Sequence, residues 1–110
     1  MAIYHMLMIK FKDEIPPEVV KEACNEIIEL PTKCLHPTTK AHYVKSLGGG
    51  KDHSIEGWQN GFTHCFLSRF ETEEDRKYYV EGDPAHLGIV DTLVPRLEKI
   101  QVLDFTPGAY

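Results

Sequence analysis

The stretch IYHMLMIKF, residues 3–11, decides the fold because it alternates like a β-strand yet is apolar on both faces. Side chains alternate along a strand, so odd-numbered and even-numbered residues lie on opposite faces. These are Ile3, His5, Leu7, Ile9 and Phe11 on one face, and Tyr4, Met6, Met8 and Lys10 on the other. A strand of this kind is covered on both sides. We therefore expect helices on one face of its sheet and the sheet of a second copy on the other.

The rest of the chain predicts three more strands and three helices. Pro16 and Pro17 mark the start of the first helix, because proline suits the first helical turn, and Pro31 ends it near Leu30. Thr72 is a candidate N-cap of a short second helix. This second helix ends at about residue 80, and a third helix spans residues 85–97. Further strands are expected at about 40–47, 61–70 and 100–105. The stretch GGGKDHSIEGWQNG, residues 48–61, is expected to be an irregular loop.

The order strand–helix–strand–strand–helix–strand predicts an α+β protein of the ferredoxin-like βαββαβ type. Such a chain forms a four-stranded antiparallel sheet with its helices on one face. The 110 residues fit one domain, residues 1–110. A domain this short buries a modest core, so association into a homodimer would add buried apolar surface.

Composition narrows the class of partner. The net charge is −5 and the twelve Lys and Arg residues are scattered, which argues against nucleic-acid binding. No apolar run approaches the length of about 20 residues that spans a bilayer, and the N-terminus lacks the pattern of a signal peptide. Cys24, Cys34 and Cys65 are odd in number and lack CxxC spacing, which favours reduced thiols. We expect a cytoplasmic protein.

Histidines are the candidate chemical groups. His5 and His64 are in phase with the apolar faces of the first and third strands, which are neighbours in this fold, so both imidazoles could line one cavity. Tyr79 and His86 flank the corner between the last two helices. The positive end of a helix dipole favours a neutral imidazole, which can act as a base, and a tyrosine hydroxyl can bind a carbonyl or enolate oxygen.

Structural roles remain open for each of these residues. His5 and His64 could be hydrogen-bonded core histidines, and Tyr79 with His86 could merely stabilise a corner. A metal site is a further alternative, since His5, His64 and His86 could converge in space. Their spacing in the sequence matches no HxxxH or HExxH motif, and no cysteine stands at a useful interval.

Four segments make the sequence resemble the stress-responsive A/B barrel family of dimeric α+β barrels. They are YHMLMIKFKDEI at residues 4–15, GFTHCFLSRFET at 61–72, DPAHLG at 83–88 and VLDFTP at 102–107. The resemblance extends over essentially the whole chain. It implies a homodimer in which two four-stranded sheets pack face to face, with the helices outside.

The sequence is most similar to the plant polyketide cyclases of that family. This implies that His86 and Tyr79 are catalytic, with His86 removing an acidic proton between two carbonyls while Tyr79 holds the carbonyl oxygen. Asp104 would orient His86 from behind, and no metal or organic cofactor would be needed. The implied substrate-binding residues are His5, His64, Leu7, Ile27, Phe66 and Ile89.

Several positions depart from the cyclase pattern. Ala23, Cys24 and Ile27 replace bulky aromatic residues on the first helix, Phe66 replaces a smaller residue, and Asp83 stands where the cyclase has a histidine. A different small hydrophobic or polyketide-like substrate is therefore expected. Three hypotheses follow: a cofactor-independent cyclase or lyase, a non-catalytic dimer that binds a small molecule, and a metal-dependent or oxygen-handling enzyme.

Overall fold

The computed structural model describes residues 1–110 and has an α+β architecture. Four strands and three helices follow one another along the chain, with two short 3₁₀ turns at Leu30–Thr32 and Val94–Arg96. In chain order the elements are β1 (Ile3–Phe11), α1 (Pro17–Glu29), β2 (Val44–Lys51), β3 (His64–Phe70), α2 (Glu73–Glu81), α3 (Pro84–Leu93) and β4 (Leu97–Phe105).

The four strands form one antiparallel sheet in the order β2-β3-β1-β4, which confirms the ferredoxin-like prediction. The first strand lies inside the sheet, with β3 on one side and β4 on the other. His5 pairs with Ser68 of β3 and with Asp104 of β4, so these three side chains share one face of the sheet. That face carries the helices, because residues of α1, α2 and α3 pack on Ile9, Phe66 and their neighbours.

Local signals start and end the helices. Pro17 opens α1 after an extended Pro16, which is compatible with the missing N–H of proline. The Thr72 hydroxyl accepts a hydrogen bond from the Asp75 N–H at 3.1 Å and so caps α2. The carboxylate of Asp83 caps α3 in the same way, through the Ala85 N–H at 2.9 Å.

The glycine-rich segment is partly a strand, so the predicted boundaries of β2 and of the following loop are wrong. Gly48, Gly49 and Gly50 pair with β3 after a bulge at Ser46–Gly48, where Gly48 has a φ of 108°. A Cβ on Gly49 would lie 2.4 Å from the Phe66 ring, so this close packing requires glycine. Sheet pairing outweighs the low strand propensity of glycine here.

Two other boundaries differ from prediction. The third strand begins at His64, since Asn60 and Gly61 have positive φ values of 54° and 83° and form the preceding turn. The last helix ends at Leu93 because Pro95 lacks the N–H that would continue it, and β4 then begins at Leu97.

The core lies between the sheet and its helices in two clusters. One cluster surrounds Phe70, and the other surrounds Ile9; both side chains are fully buried. The members of the first are Ile3, Leu30, Cys34, Val44, Phe70 and Tyr79, and those of the second are Ile9, Phe11, Ala23, Phe66, Leu93 and Leu97. Tyr79, a predicted site residue, is therefore anchored in the core.

The opposite face of the sheet carries apolar side chains with no helix over them. Tyr4 stacks on Phe105 at 5.2 Å between ring centroids, and Leu103 is 55% exposed beside Met6. We call this the open face, formed by Tyr4, Met6, Met8, Leu67, Leu103 and Phe105. No helix of the structure is both long enough and apolar enough to cross a membrane.

Candidate functional site

A cavity of about 710 Å³ lies between the sheet and helices α1, α2 and α3. Most of its wall is apolar, and a few polar side chains converge at one end, which is the usual composition of a small-molecule site. The structure brings eight of the predicted site residues to this wall: His5, Leu7, Ile27, Phe66, Tyr79, His86, Ile89 and Asp104.

Tyr79 and His86 lie face to face at this polar end. Their ring centroids are 4.0 Å apart with an angle of 31° between the planes. Tyr79 comes from the last turn of α2, whereas His86 lies in the first turn of α3, so the tight corner between the helices brings them together. The two rings form one surface of the cavity.

The environment keeps both groups in their neutral forms near pH 7. Burial lowers the pKa of His86, and the nearby His5 lowers it further, although Asp83 opposes this effect. Burial is also the main cause of the raised pKa of Tyr79. The site therefore presents an unprotonated imidazole nitrogen beside a protonated phenol, which suits a base next to a hydrogen-bond donor.

His86 has an unusual feature for a half-buried imidazole. Its Nδ1 atom is buried and has no hydrogen-bond partner within the chain. Buried polar atoms are nearly always paired, so an unpaired one is a candidate contact for a ligand or a water molecule.

His5 is held by a chain of polar contacts. Its Nδ1 lies 2.6 Å from Asp104 Oδ1, and Arg76 donates a hydrogen bond to Asp104 Oδ2 at 2.9 Å. In a neutral imidazole, a carboxylate on Nδ1 favours the tautomer with the proton on that nitrogen, which leaves Nε2 as an acceptor. The expectation that Asp104 orients His86 is therefore wrong. Asp104 is directly opposite His5 in the pairing of β4 with β1, and this register selects its partner.

His5 also contacts Tyr79, edge to face, with 5.9 Å between ring centroids. The three rings of His5, Tyr79 and His86 thus form a continuous row at the polar end of the cavity. Ser68, opposite His5 on β3, adds a hydroxyl to the same wall.

His64 lies apart from this group, so its predicted place in the same cavity is wrong. It faces a smaller depression of about 320 Å³ beside α1 and β2, where its Nδ1 lies 2.8 Å from the Thr63 hydroxyl. His5 pairs with Ser68, four residues further along β3 than His64, a separation of about 13 Å along the strand. The alternative in which His5, His64 and His86 converge on a metal is not realised, because His64 lies apart from the other two, and no group of three or more His, Cys, Asp or Glu residues is placed to hold an ion.

Sequence reasoning missed Arg76. It precedes Tyr79 by three residues on α2, which places both on the same face of the helix. That spacing was the available signal, but nothing in the sequence indicated that Asp104 of a distant strand would lie opposite it.

A ferredoxin-like sheet with a histidine- and tyrosine-lined cavity under its helices defines a class of small α+β proteins. The model of the stress responsive A/B barrel domain matches residues 3–107 of this chain. The chain belongs to the stress-responsive A/B barrel family.

Two plant proteins are similar in sequence over nearly the whole chain. The stress-response A/B barrel domain-containing protein HS1 of Arabidopsis thaliana is 32% identical over 105 residues, covering 96% of this chain and 89% of HS1. Olivetolic acid cyclase of Cannabis sativa is 32% identical over 107 residues, covering 97% of this chain and 98% of the cyclase. The resemblance to a polyketide cyclase is confirmed at the level of the sequence.

Solved structures show the same fold. Hydroxynitrile lyase from Passiflora edulis superposes with a TM-score of 0.84 at 20% identity, covering 99% of this chain and 96% of the lyase. A dimeric ferredoxin-like protein from Thermobifida fusca gives a TM-score of 0.71 at 18% identity, covering 96% and 91% of the two chains. The family thus contains a cyclase, and its fold is shared by a lyase and by proteins described as dimeric.

Proposed function

We propose that this protein is a cofactor-independent cyclase or lyase that acts on a polyketide-like or 1,3-dicarbonyl substrate by acid–base catalysis. The observation that carries the proposal is the face-to-face contact of Tyr79 and His86, 4.0 Å apart, at the polar end of an apolar cavity. A proton between two carbonyls is already acidic, so a positioned base and a hydrogen-bond donor suffice to remove it.

In the proposed reaction, neutral His86 removes the proton from the carbon between two carbonyl groups. The Tyr79 hydroxyl donates a hydrogen bond to the carbonyl oxygen on which the enolate charge develops. The carbanion then attacks a second carbonyl carbon of the same molecule, which forms a carbon–carbon bond and an alkoxide. The alkoxide takes up the proton held by the His86 imidazolium, so the base is regenerated and the atoms balance.

His5 and Asp104 have a supporting place in this proposal. With its Nδ1–H directed at Asp104, the His5 imidazole presents Nε2 as an acceptor for a hydroxyl or enol of the substrate. Leu7, Ile27, Phe66 and Ile89 supply the apolar wall for the rest of the molecule. The pocket volume, about 710 Å³, suits a ligand of drug-like size.

The similar proteins support the class of reaction. One relative at 32% identity is named a cyclase, and a solved structure with the same fold is named a lyase. The differences at Ile27 and Phe66 change the wall of the site, so we propose a substrate other than that of the cyclase.

The decisive experiment is a product assay in which a polyketide synthase is incubated with this protein and the cyclised products are separated. His86→Gln and Tyr79→Phe should remove the cyclised product, because each loses a group that acts on the reacting atoms. His53→Gln is the matched control, since His53 is exposed and lies outside the cavity. Identical products from the wild type and both site variants would refute the proposal for this substrate class.

A second candidate is a non-catalytic dimer that binds a small hydrophobic molecule. The unpaired Nδ1 of His86 favours it, because a bound ligand can satisfy that atom without any reaction. Calorimetric titration with aromatic polyketides separates the two functions: binding without turnover supports this candidate, and turnover supports the first.

We also propose that two copies associate through the open face of the sheet. Its exposed apolar side chains and the dimeric state described for several structures of this fold support the association. We further propose a cytoplasmic location and a role in secondary metabolism, to be tested by cell fractionation and by metabolite profiling of a deletion strain.

A further inference from the structure

A buried carboxylate lies behind the catalytic pair, outside the cavity. Asp83 is only 2% exposed, and both of its carboxylate oxygens accept hydrogen bonds. The Tyr43 hydroxyl donates to Oδ2 at 2.5 Å, and the Ala85 N–H donates to Oδ1 at 2.9 Å. Burial raises the pKa of the Cys34 thiol to about 12, and the negative charge of nearby Asp83 adds to the effect. Both hydrogen bonds are donated to the Asp83 carboxylate, which suits its ionised form.

Asp83 is also the joint between the two helices of the site. Its N–H donates to the Tyr78 carbonyl at 2.8 Å at the end of α2, and its own carbonyl accepts from the Leu87 N–H at 3.0 Å in α3. Tyr79 precedes Asp83 by four residues and His86 follows it by three. The conformation of this one residue therefore sets how the two rings meet.

Tyr43 attaches the joint to the segment before β2. Its ring packs on Tyr78 at 5.7 Å and on His36 at 6.2 Å between centroids, in addition to its hydrogen bond to Asp83. The joint is thus held from outside the two helices. A capping residue without this second anchor would be free to pivot.

The charge of Asp83 opposes the effects of burial and of His5 on His86. Burial, followed by His5 from β1, lowers the pKa of His86, whereas the Tyr79 backbone and the charge of Asp83 raise it. The Tyr79 phenol packs against this imidazole from α2. The charged side chains of the cavity wall are Asp104 and Arg76, which pair with each other, and Glu73, Lys77 and Glu81 of α2. Asp83 therefore supplies the negative charge that favours proton uptake by His86.

We propose that Asp83, anchored by Tyr43, is a positioning residue that holds Tyr79 and His86 face to face and places a negative charge behind the imidazole. Its catalytic consequence rests on the proposed function, but its effect on His86 is a property of the free protein. Asp83 touches neither the cavity nor a reacting atom, so it acts only through the two rings.

The test is a histidine titration followed by NMR, with the His86 signal assigned from its loss in His86→Gln. Asp83→Asn keeps a good N-cap and removes the charge, so the pKa of His86 should fall by about half a unit or more. Asp91→Asn is the matched control, because Asp91 is an exposed carboxylate on the same helix, and it should cause no shift. An unchanged or raised pKa in Asp83→Asn overturns the electrostatic part of the proposal.

Two further variants keep the proposal testable if Asp83→Asn does not fold. Asp83→Ser also caps a helix and lacks the charge, and should give the same downward shift. Tyr43→Phe keeps the carboxylate and releases its anchor, so the nuclear Overhauser effects between the Tyr79 and His86 rings should weaken. Effects of full intensity in Tyr43→Phe overturn the positioning part.

Activity measurements separate this proposal from the function itself. In an active protein, Asp83→Asn should lower kcat at least tenfold with little change in KM, because ligand contacts are retained. A wild type without activity on any polyketide refutes the proposed function alone, since the titration needs no substrate.

Discussion

The buried Tyr79 and the half-buried Tyr43 should respond in opposite ways to loss of the hydroxyl. The Tyr43 hydroxyl donates to the Asp83 carboxylate at 2.5 Å. Tyr79 lines the cavity, its hydroxyl makes no hydrogen bond within the chain, and burial is the main cause of its raised pKa. We predict that Tyr43→Phe costs stability and that Tyr79→Phe costs activity.

The magnitudes follow from those contacts. A hydrogen bond to a charged group contributes about 1.5–3 kcal/mol, so Tyr43→Phe should lower the free energy of unfolding by that amount. For a domain of this size, about 4 °C in Tm corresponds to 1 kcal/mol, which gives a fall of about 6–12 °C. Tyr79→Phe keeps the packed ring and breaks no hydrogen bond within the chain, so its stability should change by less than about 0.5 kcal/mol. Its kcat should fall about 10²–10³-fold if the hydroxyl stabilises an enolate oxygen.

Calorimetry and urea unfolding measure the first quantity, and the product assay measures the second. The reasoning fails if Tyr79→Phe loses as much stability as Tyr43→Phe, because its hydroxyl would then have a structural partner. It also fails if Tyr79→Phe turns over substrate at the wild-type rate, because the hydroxyl would then have no part in the reaction.

Four further predictions concern His86, the open face and the glycine-rich strand. Because the pKa of His86 is lowered below its usual 6.5, kcat/KM should stay constant as pH falls to that value and decline only below it, in a pH–rate profile. The same shift means that the unfolded chain binds the proton more readily, so stability should fall as pH drops through 6.5 towards the lowered value. Leu103→Lys places a charge on the open face and should convert a dimer to monomers in sedimentation velocity. Gly49→Ala should cost about 1–3 kcal/mol in urea unfolding because of the Phe66 ring, whereas Gly50→Ala should be tolerated.

A specific result would contradict each of these predictions. An acid limb above pH 6.5 would mean that another group limits the rate. Ile55→Lys serves as the control for the dimer, since Ile55 is 97% exposed and lies in the loop after β2, and its sedimentation should equal that of the wild type. Equal losses of stability in the two glycine variants would show that the contact with Phe66 is not the cause.

The alternation of apolar residues predicts on which face of the sheet a side chain lies, but not which residues of neighbouring strands lie opposite each other. The two apolar faces of β1 correctly predicted that helices cover one side of its sheet. The same alternation put His5 and His64 on one face, but it carries no information about the register of β1 and β3, which separates them. The resemblance to the cyclases implied that Asp104 orients His86, but the pairing of β1 with β4 places Asp104 opposite His5 instead.

Local composition gave a wrong prediction where contacts between distant residues determine the secondary structure. Three consecutive glycines predicted a loop, yet the Phe66 ring needs the space that a side chain at Gly49 would fill, and the segment is a strand. The corner with Tyr79 and His86 was visible in the sequence because proline and an N-cap residue mark the start of α3. The partner of that N-cap, Tyr43, lies 40 residues away and left no local signal.

The alternation of β4 imposes a constraint on how the gene can change. Val102 and Asp104 border the cavity, whereas Leu103 and Phe105 belong to the open face. Substitution on one side leaves the other side intact, so the proposed ligand preference and the proposed association can diverge independently. A single inserted or deleted codon in this strand would exchange the two sets. Asp104, the partner of His5, would then point away from the helices, and an apolar side chain would take its place beside His5. The proposed ligand binding and the proposed association would both be lost in one step.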